Sequence, residues 1–87
     1  MLFRSMHCYF DGDYIGFPRR DSFEDDIFLK ADSITGVKPD PKKEDYSIVL
    51  YSEGKMGLRA FEPAERVART LWGKGNFKKK KGMYMSK

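Results

Sequence analysis

The sequence contains one cysteine, one histidine and no long apolar run among its 87 residues. Because Cys8 is the only thiol, the chain has no internal disulfide, which favours a reducing compartment. A single histidine argues against a zinc site or a cysteine–histidine nucleophile pair. His7 and Cys8 are also neighbours on a predicted strand, so their side chains point to opposite faces. We therefore expect Cys8 in the core, no catalytic residue, no metal, no cofactor and no enzymatic activity.

No segment reaches the roughly 18 apolar residues of a membrane-spanning helix. The first five residues, Met1 to Ser5, lack the apolar core of a secretion signal. These two observations predict a cytoplasmic protein with no membrane partner.

The net charge of +4 is unevenly distributed along the chain. Residues 74–87 contain six of the 17 basic residues and no acidic residue, which leaves 11 basic against 13 acidic residues in positions 1–73. We therefore predict one slightly acidic β-rich domain over residues 1–73 and a lysine-rich tail over residues 74–87. Left alone, this tail should be mobile. A neighbouring molecule would order it, as would packing of Met83, Tyr84 and Met85 back on the domain as a strand.

The stretch from Tyr46 to Gly73 has the clearest structural pattern. Two alternating runs, 46–51 and 56–60, flank a turn that contains Gly54, which predicts a hairpin with Ile48, Leu50, Met56 and Leu58 on one face. Pro63 then opens a predicted helix, in which the apolar residues recur at helical spacing until Gly73 ends it. The apolar positions of this helix are Ala64, Val67, Ala68 and Leu71.

The rest of the chain adds shorter strands. Residues 2–10 alternate as a strand and Asp11 to Asp13 form a turn. A short return strand follows, and Pro18 predicts either its end or an edge position for it. Residues 19–26 are polar and predict a surface loop. The fold class is therefore α+β, with a small curved antiparallel sheet or partly open barrel of four to five strands and one C-terminal helix.

Residues 28–72 resemble the FlbD-like family of small flagellar and swarming-motility proteins. The shared features are a short apolar strand, Ile34 and Val37 after a break, a hairpin with Gly54 in its turn, and a short helix entered near Glu62. The sequence departs from the family pattern at Lys30-Ala31-Asp32, where the family usually has Asn-Pro-Asp. The resemblance implies a strand–strand–helix architecture and no catalytic residues.

The lysine-rich tail contains the strongest functional signal. Lysines bind phosphates by releasing counterions, and aromatic rings stack on bases, so we predict that the tail contacts nucleic acid. The predicted contact residues are Lys74, Phe77, Lys78, Lys79, Lys80, Lys81 and Tyr84. A solubilising tail explains the same lysines equally well.

A second hypothesis is a small protein-binding regulator or inhibitor, of phage or motility type, that acts through its sheet edges and exposed aromatic residues. The candidate interface residues are Tyr51, Arg66, Arg69 and Trp72. Glu62 and Glu65 each precede an arginine by four residues, a spacing that also predicts ordinary surface ion pairs. Either hypothesis is compatible with a homo-oligomer.

Overall fold

The computed structural model describes residues 6–19 and 22–87, which form eight strands and one α-helix. In chain order these elements are β1 (Tyr9–Asp11), β2 (Tyr14–Arg19), β3 (Ser22–Lys30), β4 (Ile34–Pro39), β5 (Ser47–Tyr51), β6 (Met56–Ala60), α1 (Ala64–Trp72), β7 (Phe77–Lys80) and β8 (Met83–Ser86). A single turn of 3-10 helix, Ala31–Ser33, connects β3 to β4.

The described strands form two open antiparallel sheets. One sheet has the order β1-β2-β3, and the other has the order β6-β5-β4-β8-β7. The predicted α+β class, with antiparallel strands and one helix, is confirmed. The helix is not C-terminal, because β7 and β8 follow it. The expected single sheet or barrel of four to five strands differs from the structure, because strands also form in segments predicted as a loop and a tail.

The tail segment folds because a two-residue turn joins its two short strands. Lys81 and Gly82 both have positive φ, 53° and 78°, as tight hairpin turns require. Phe77 pairs with Ser86 and Lys80 with Met83, and Val37 pairs with Tyr84, which attaches the hairpin to β4. Residues 77–86 thus widen the larger sheet by two strands.

The core lies between the larger sheet and two covering elements, the three-stranded sheet and α1. Val37, Val49, Ile15 and Val67 are fully buried and belong to one apolar cluster. The helix begins and ends as predicted, and its buried residues are Ala64, Val67, Ala68 and Leu71. Cys8 is 4% exposed, which confirms its predicted place in the core.

The predicted face of the β5–β6 hairpin is wrong. Val49 pairs with Leu58 and Tyr51 with Met56, whereas Ile48 lies opposite Arg59 and Leu50 opposite Gly57. The core side of β5 therefore carries Val49 and Tyr51. The turn sets this register, and a difference of one residue moves every side chain to the other face.

Two predictions for the N-terminal half also need correction. Pro18 does not end its strand, because β2 continues to Arg19 with a register irregularity between Phe17 and Arg19. The predicted loop over residues 19–26 is partly strand, since β3 begins at Ser22. The start of the predicted first strand, residues 2–5, lies outside the described residues.

Among the residues described, no helix is long and apolar enough to cross a membrane.

Candidate functional site

One face of the five-stranded sheet combines an apolar centre with basic side chains. Alternation along the strands places every second residue of β4, β5, β6, β7 and β8 on the face opposite the core. We call this surface the basic face. Its basic members are Lys38, Arg59, Lys78 and Lys80, and its apolar members are Ile48, Leu50, Met83 and Met85.

Basic and apolar residues alternate across the strands of this face. Arg59 lies opposite Ile48, Ile48 opposite Lys38, and Met83 opposite Lys80. The pairing of Val37 with Tyr84 places Met83 beside Lys38. Because neighbouring strands are about 4.8 Å apart, basic side chains two strands apart are separated by roughly 10 Å. The result is a ladder of positive charges with apolar surface between them.

The apolar centre of the basic face is accessible to a ligand. Leu50, Met83 and Met85 are half-buried, whereas Val37 and Val49 on the core side are fully buried. A depression of about 410 Å³ lies here, lined by Lys38, Leu50, Lys80, Lys81, Gly82, Met83 and Met85. Gly36 makes room for the methionine, because a Cβ at this position would lie 2.7 Å from the Met83 sulfur.

The electrostatics of the basic face are strongly one-sided. Among the described residues, the acidic group paired with this face is Asp40, which is buried at 5% exposure and has its Oδ2 3.2 Å from Arg59 Nε. This ion pair compensates the charge of Arg59. Lys38, Lys78 and Lys80 are exposed and form no ion pair with any residue that the structure describes. The three lysines therefore determine the sign of this surface.

The structure divides the predicted nucleic-acid residues between two faces. Lys78 and Lys80 lie on the basic face, whereas Lys79 pairs with Tyr84 on the opposite side. There the Tyr84 and Phe77 rings contact edge to face at 5.6 Å, and Lys79 Nζ lies 5.5 Å from the Tyr84 ring centroid. Tyr84 also packs against the core, so its ring cannot stack on a base without leaving this contact.

The remaining two predicted lysines lie in turns. Lys81 borders the depression on the basic face from the β7–β8 turn. Lys74 is exposed in the connection between α1 and β7 and belongs to none of the strands that form the basic face.

The four predicted protein-interface residues do not form one surface. Tyr51 faces the core side of β5, and Trp72 is half-buried against the core at the end of α1. Arg69 lies 3.7 Å from Glu65, which confirms that surface pair. Arg66 instead donates a hydrogen bond from Nη1 to His7 Nε2 at 2.6 Å.

The predicted surface pairing of Glu62 with Arg66 is wrong, because Glu62 is 2% exposed and precedes the helix. Its Oε2 accepts a hydrogen bond from the Cys8 backbone N–H at 2.5 Å. Its buried Oε1 has no hydrogen-bond partner among the described residues. Burial raises the pKa of Glu62, although the Cys8 N–H and the charges of His7 and Arg66 lower it.

The Cys8 thiol is in the same buried environment. Burial, together with the negative charge of Glu62, raises the pKa of Cys8 to about 12, and a hydrogen bond with Thr70 acts in the opposite direction. At neutral pH this thiol is protonated and is a poor nucleophile. The hydrogen bond from the Cys8 backbone N–H to Glu62 links the N-terminal segment to the residues just before α1. The Cys8 thiol itself is not activated.

Sequence reasoning found two of the eight residues of the basic face, Lys78 and Lys80, and missed the other six. Lys38, Ile48 and Leu50 belong to it, but their positions follow from the register of the β4–β5 and β5–β6 pairs. One signal was present in the sequence: Lys81-Gly82, between two short runs of alternating residues, is a composition typical of a tight hairpin turn. The chain matches no protein-family model, no curated protein and no solved structure.

Proposed function

We propose that this protein is a non-enzymatic binding module that binds single-stranded nucleic acid on its basic face. One observation supports this most strongly: Lys38, Lys78 and Lys80 flank an accessible apolar centre on a sheet surface whose neighbouring acidic group, Asp40, is already paired with Arg59. Lysine side chains on such a surface would contact phosphates and release counterions.

The apolar centre favours a single strand over a duplex. The bases of a single strand are exposed and can lie on Leu50, Met83 and Met85, whereas the bases of a duplex are stacked and paired inside it. The centre is aliphatic and sulfur-containing rather than aromatic, so it offers no edge-specific recognition. We therefore expect weak dependence on base sequence and strong dependence on salt.

The salt dependence gives a quantitative test. If Lys38, Lys78, Lys80 and Lys81 each contact one phosphate, the plot of log affinity against log salt should have a slope of about −2.8 for a single strand, at about −0.7 per contact. Replacing Lys78 and Lys80 by glutamine should bring the slope to about −1.4. The measurement is fluorescence anisotropy with a labelled oligonucleotide at several salt concentrations.

A matched variant separates the basic face from net charge alone. Replacing Lys74 and Lys79 by glutamine removes the same two charges, but Lys79 lies on the opposite side of the hairpin. This control should keep the slope near −2.8. Equal slopes for the two double variants, or no binding at about 50 mM salt, would contradict the proposal, and tighter binding to a duplex would contradict its single-strand part.

A further inference from the structure

The three-stranded sheet has an exposed aromatic surface that is separate from the basic face. Tyr9 and Phe28 lie opposite Gly16, and Tyr14 lies on the same side two residues before Gly16. The exposed fractions of Tyr9, Tyr14 and Phe28 are 38%, 48% and 44%. Exposed apolar patches of this kind mark interaction surfaces. We call it the aromatic face.

Gly16 lies at the centre of the aromatic face, with one aromatic ring on each side of it. A Cβ at this position would lie 2.7 Å from Tyr9 Cζ and 2.8 Å from Phe28 Cε1, so the two rings close over the glycine from opposite sides. The rings meet edge to face at 6.0 Å and 86°. The Tyr9 hydroxyl donates a hydrogen bond to Asp26, which fixes the position of its ring. The row across the three strands is therefore aromatic, glycine, aromatic.

The next row has opposite charges at its two ends. Asp11 on β1 pairs with Tyr14 on β2, and Tyr14 pairs with Lys30 on β3. Asp11 and Lys30 are both exposed. Within the described part of the chain, neither forms an ion pair. A negative charge, a ring and a positive charge thus follow each other across the sheet.

We propose that two copies of this chain form a dimer through their aromatic faces, related by a two-fold axis parallel to β2. Such an axis places β1 of one copy over β3 of the other. Each row of residues across one sheet then lies opposite the same row of the other sheet. Asp11 of each copy then faces Lys30 of the other, and Tyr9 faces Phe28. Tyr14 meets Tyr14 and Gly16 meets Gly16 on the axis. The charges are complementary in this arrangement. Sliding one copy's sheet by one row relative to the other, or rotating it by 90°, removes both ion pairs.

Two-fold symmetric dimers are the commonest assemblies, and face-to-face sheets pack about 10 Å apart, a gap that aromatic side chains fill. Three strands span only about 14 Å, so the contact is smaller than the roughly 800 Å² per partner of a standard interface. We expect a reversible dimer with a dissociation constant on the order of 10–100 µM. The aromatic face shares no residue with the basic face, so this inference does not depend on the proposed function.

Charge reversal and charge exchange test the dimer directly. Asp11→Lys or Lys30→Asp alone places like charges opposite each other twice per dimer and should raise the dissociation constant roughly tenfold. The double variant Asp11→Lys/Lys30→Asp restores both pairs with exchanged signs and should recover the dissociation constant of the native chain. Sedimentation equilibrium of the native chain, the two single variants and the double variant over about 1–500 µM measures these dissociation constants.

Lys42→Glu is the matched control, because Lys42 is exposed in the loop after β4 and outside the three-stranded sheet. It changes the net charge as much as Lys30→Asp does and should leave the dissociation constant unchanged. Circular dichroism of each variant checks that it is folded. A monomer at all concentrations, or a dimer that the single reversals do not weaken, would overturn the inference, and failure of the double variant to recover association would overturn the proposed axis.

Discussion

Replacing Glu62 by glutamine removes a buried charge and keeps the shape of the side chain. Glu62 is 2% exposed, its Oε2 accepts the Cys8 N–H, and its Oε1 has no hydrogen-bond partner among the described residues. The glutamine carbonyl can accept the same hydrogen bond. Alanine cannot, and it would leave a buried N–H without an acceptor.

The sign of the effect follows from the pKa. Burial raises the pKa of Glu62 in the folded chain above its ordinary value of 4.5. The folded state therefore binds the proton more tightly than the unfolded state, so this group stabilises the fold below about pH 4.5 and loses that contribution as the pH rises through the folded pKa. Near pH 8 the glutamine variant should be more stable than the native chain, by on the order of 1 kcal/mol. Glu62→Ala should be destabilised by about 1–3 kcal/mol through the orphaned Cys8 N–H.

Urea unfolding followed by circular dichroism, repeated from about pH 4 to about pH 8, measures these differences. The free-energy gap between the glutamine variant and the native chain should shrink as the pH falls. A gap that is constant with pH, or one that widens toward acid, would refute the link between burial and protonation. Stability of Glu62→Ala equal to that of Glu62→Gln, which also lacks the charge but keeps the acceptor, would show that the Cys8 hydrogen bond contributes nothing.

Three further predictions follow from single positions. Cys8, with its pKa of about 12, should react slowly with Ellman's reagent at about pH 8 in the folded chain and rapidly in urea, and fast reaction of the folded chain would contradict its burial. In the β7–β8 turn, Gly82→Val should cost about 1–2 kcal/mol because φ is 78°, whereas Lys81→Asn should stabilise the hairpin by up to about 1 kcal/mol, both measured by thermal unfolding. Leu71→Ala should cost about 2–5 kcal/mol, against about 0.5 kcal/mol for the exposed Glu65→Ala on the same helix, and similar losses for both would contradict the assigned buried face.

Local signals in the sequence were sufficient to predict α1 and the place of Cys8. Pro63, the apolar residues from Ala64 to Leu71 and the stop at Gly73 all act within one segment, so their effect can be predicted without knowledge of the rest of the chain. The β5–β6 hairpin and its turn were also predictable, but the faces on which its side chains lie were not. Which face is buried depends on α1 and the three-stranded sheet, and these contacts are distant in sequence.

The candidate site was harder to predict, because it is assembled across five strands. The lysine run was recognised, but a run of adjacent lysines on a strand must alternate between two faces, which places Lys79 apart from Lys78 and Lys80. Lys38 joins them only through the pairing of β4 with β8. The resemblance of residues 28–72 to FlbD-like proteins stays a prediction, as does the boundary after residue 73.

Basic side chains on the two outer strands of the larger sheet hinder the addition of a further strand from another chain. Lysines project on both sides of β7, so an incoming chain that hydrogen-bonds to its free backbone groups would meet ammonium groups on either side. On the other outer strand, the Arg59 carbonyl of β6 accepts a hydrogen bond from Arg19 Nη1 at 2.6 Å. Neutralising the β7 lysines by acetylation would therefore remove a barrier to aggregation as well as a ligand contact, and the native chain should stay dispersed at concentrations where an acetylated one forms fibres.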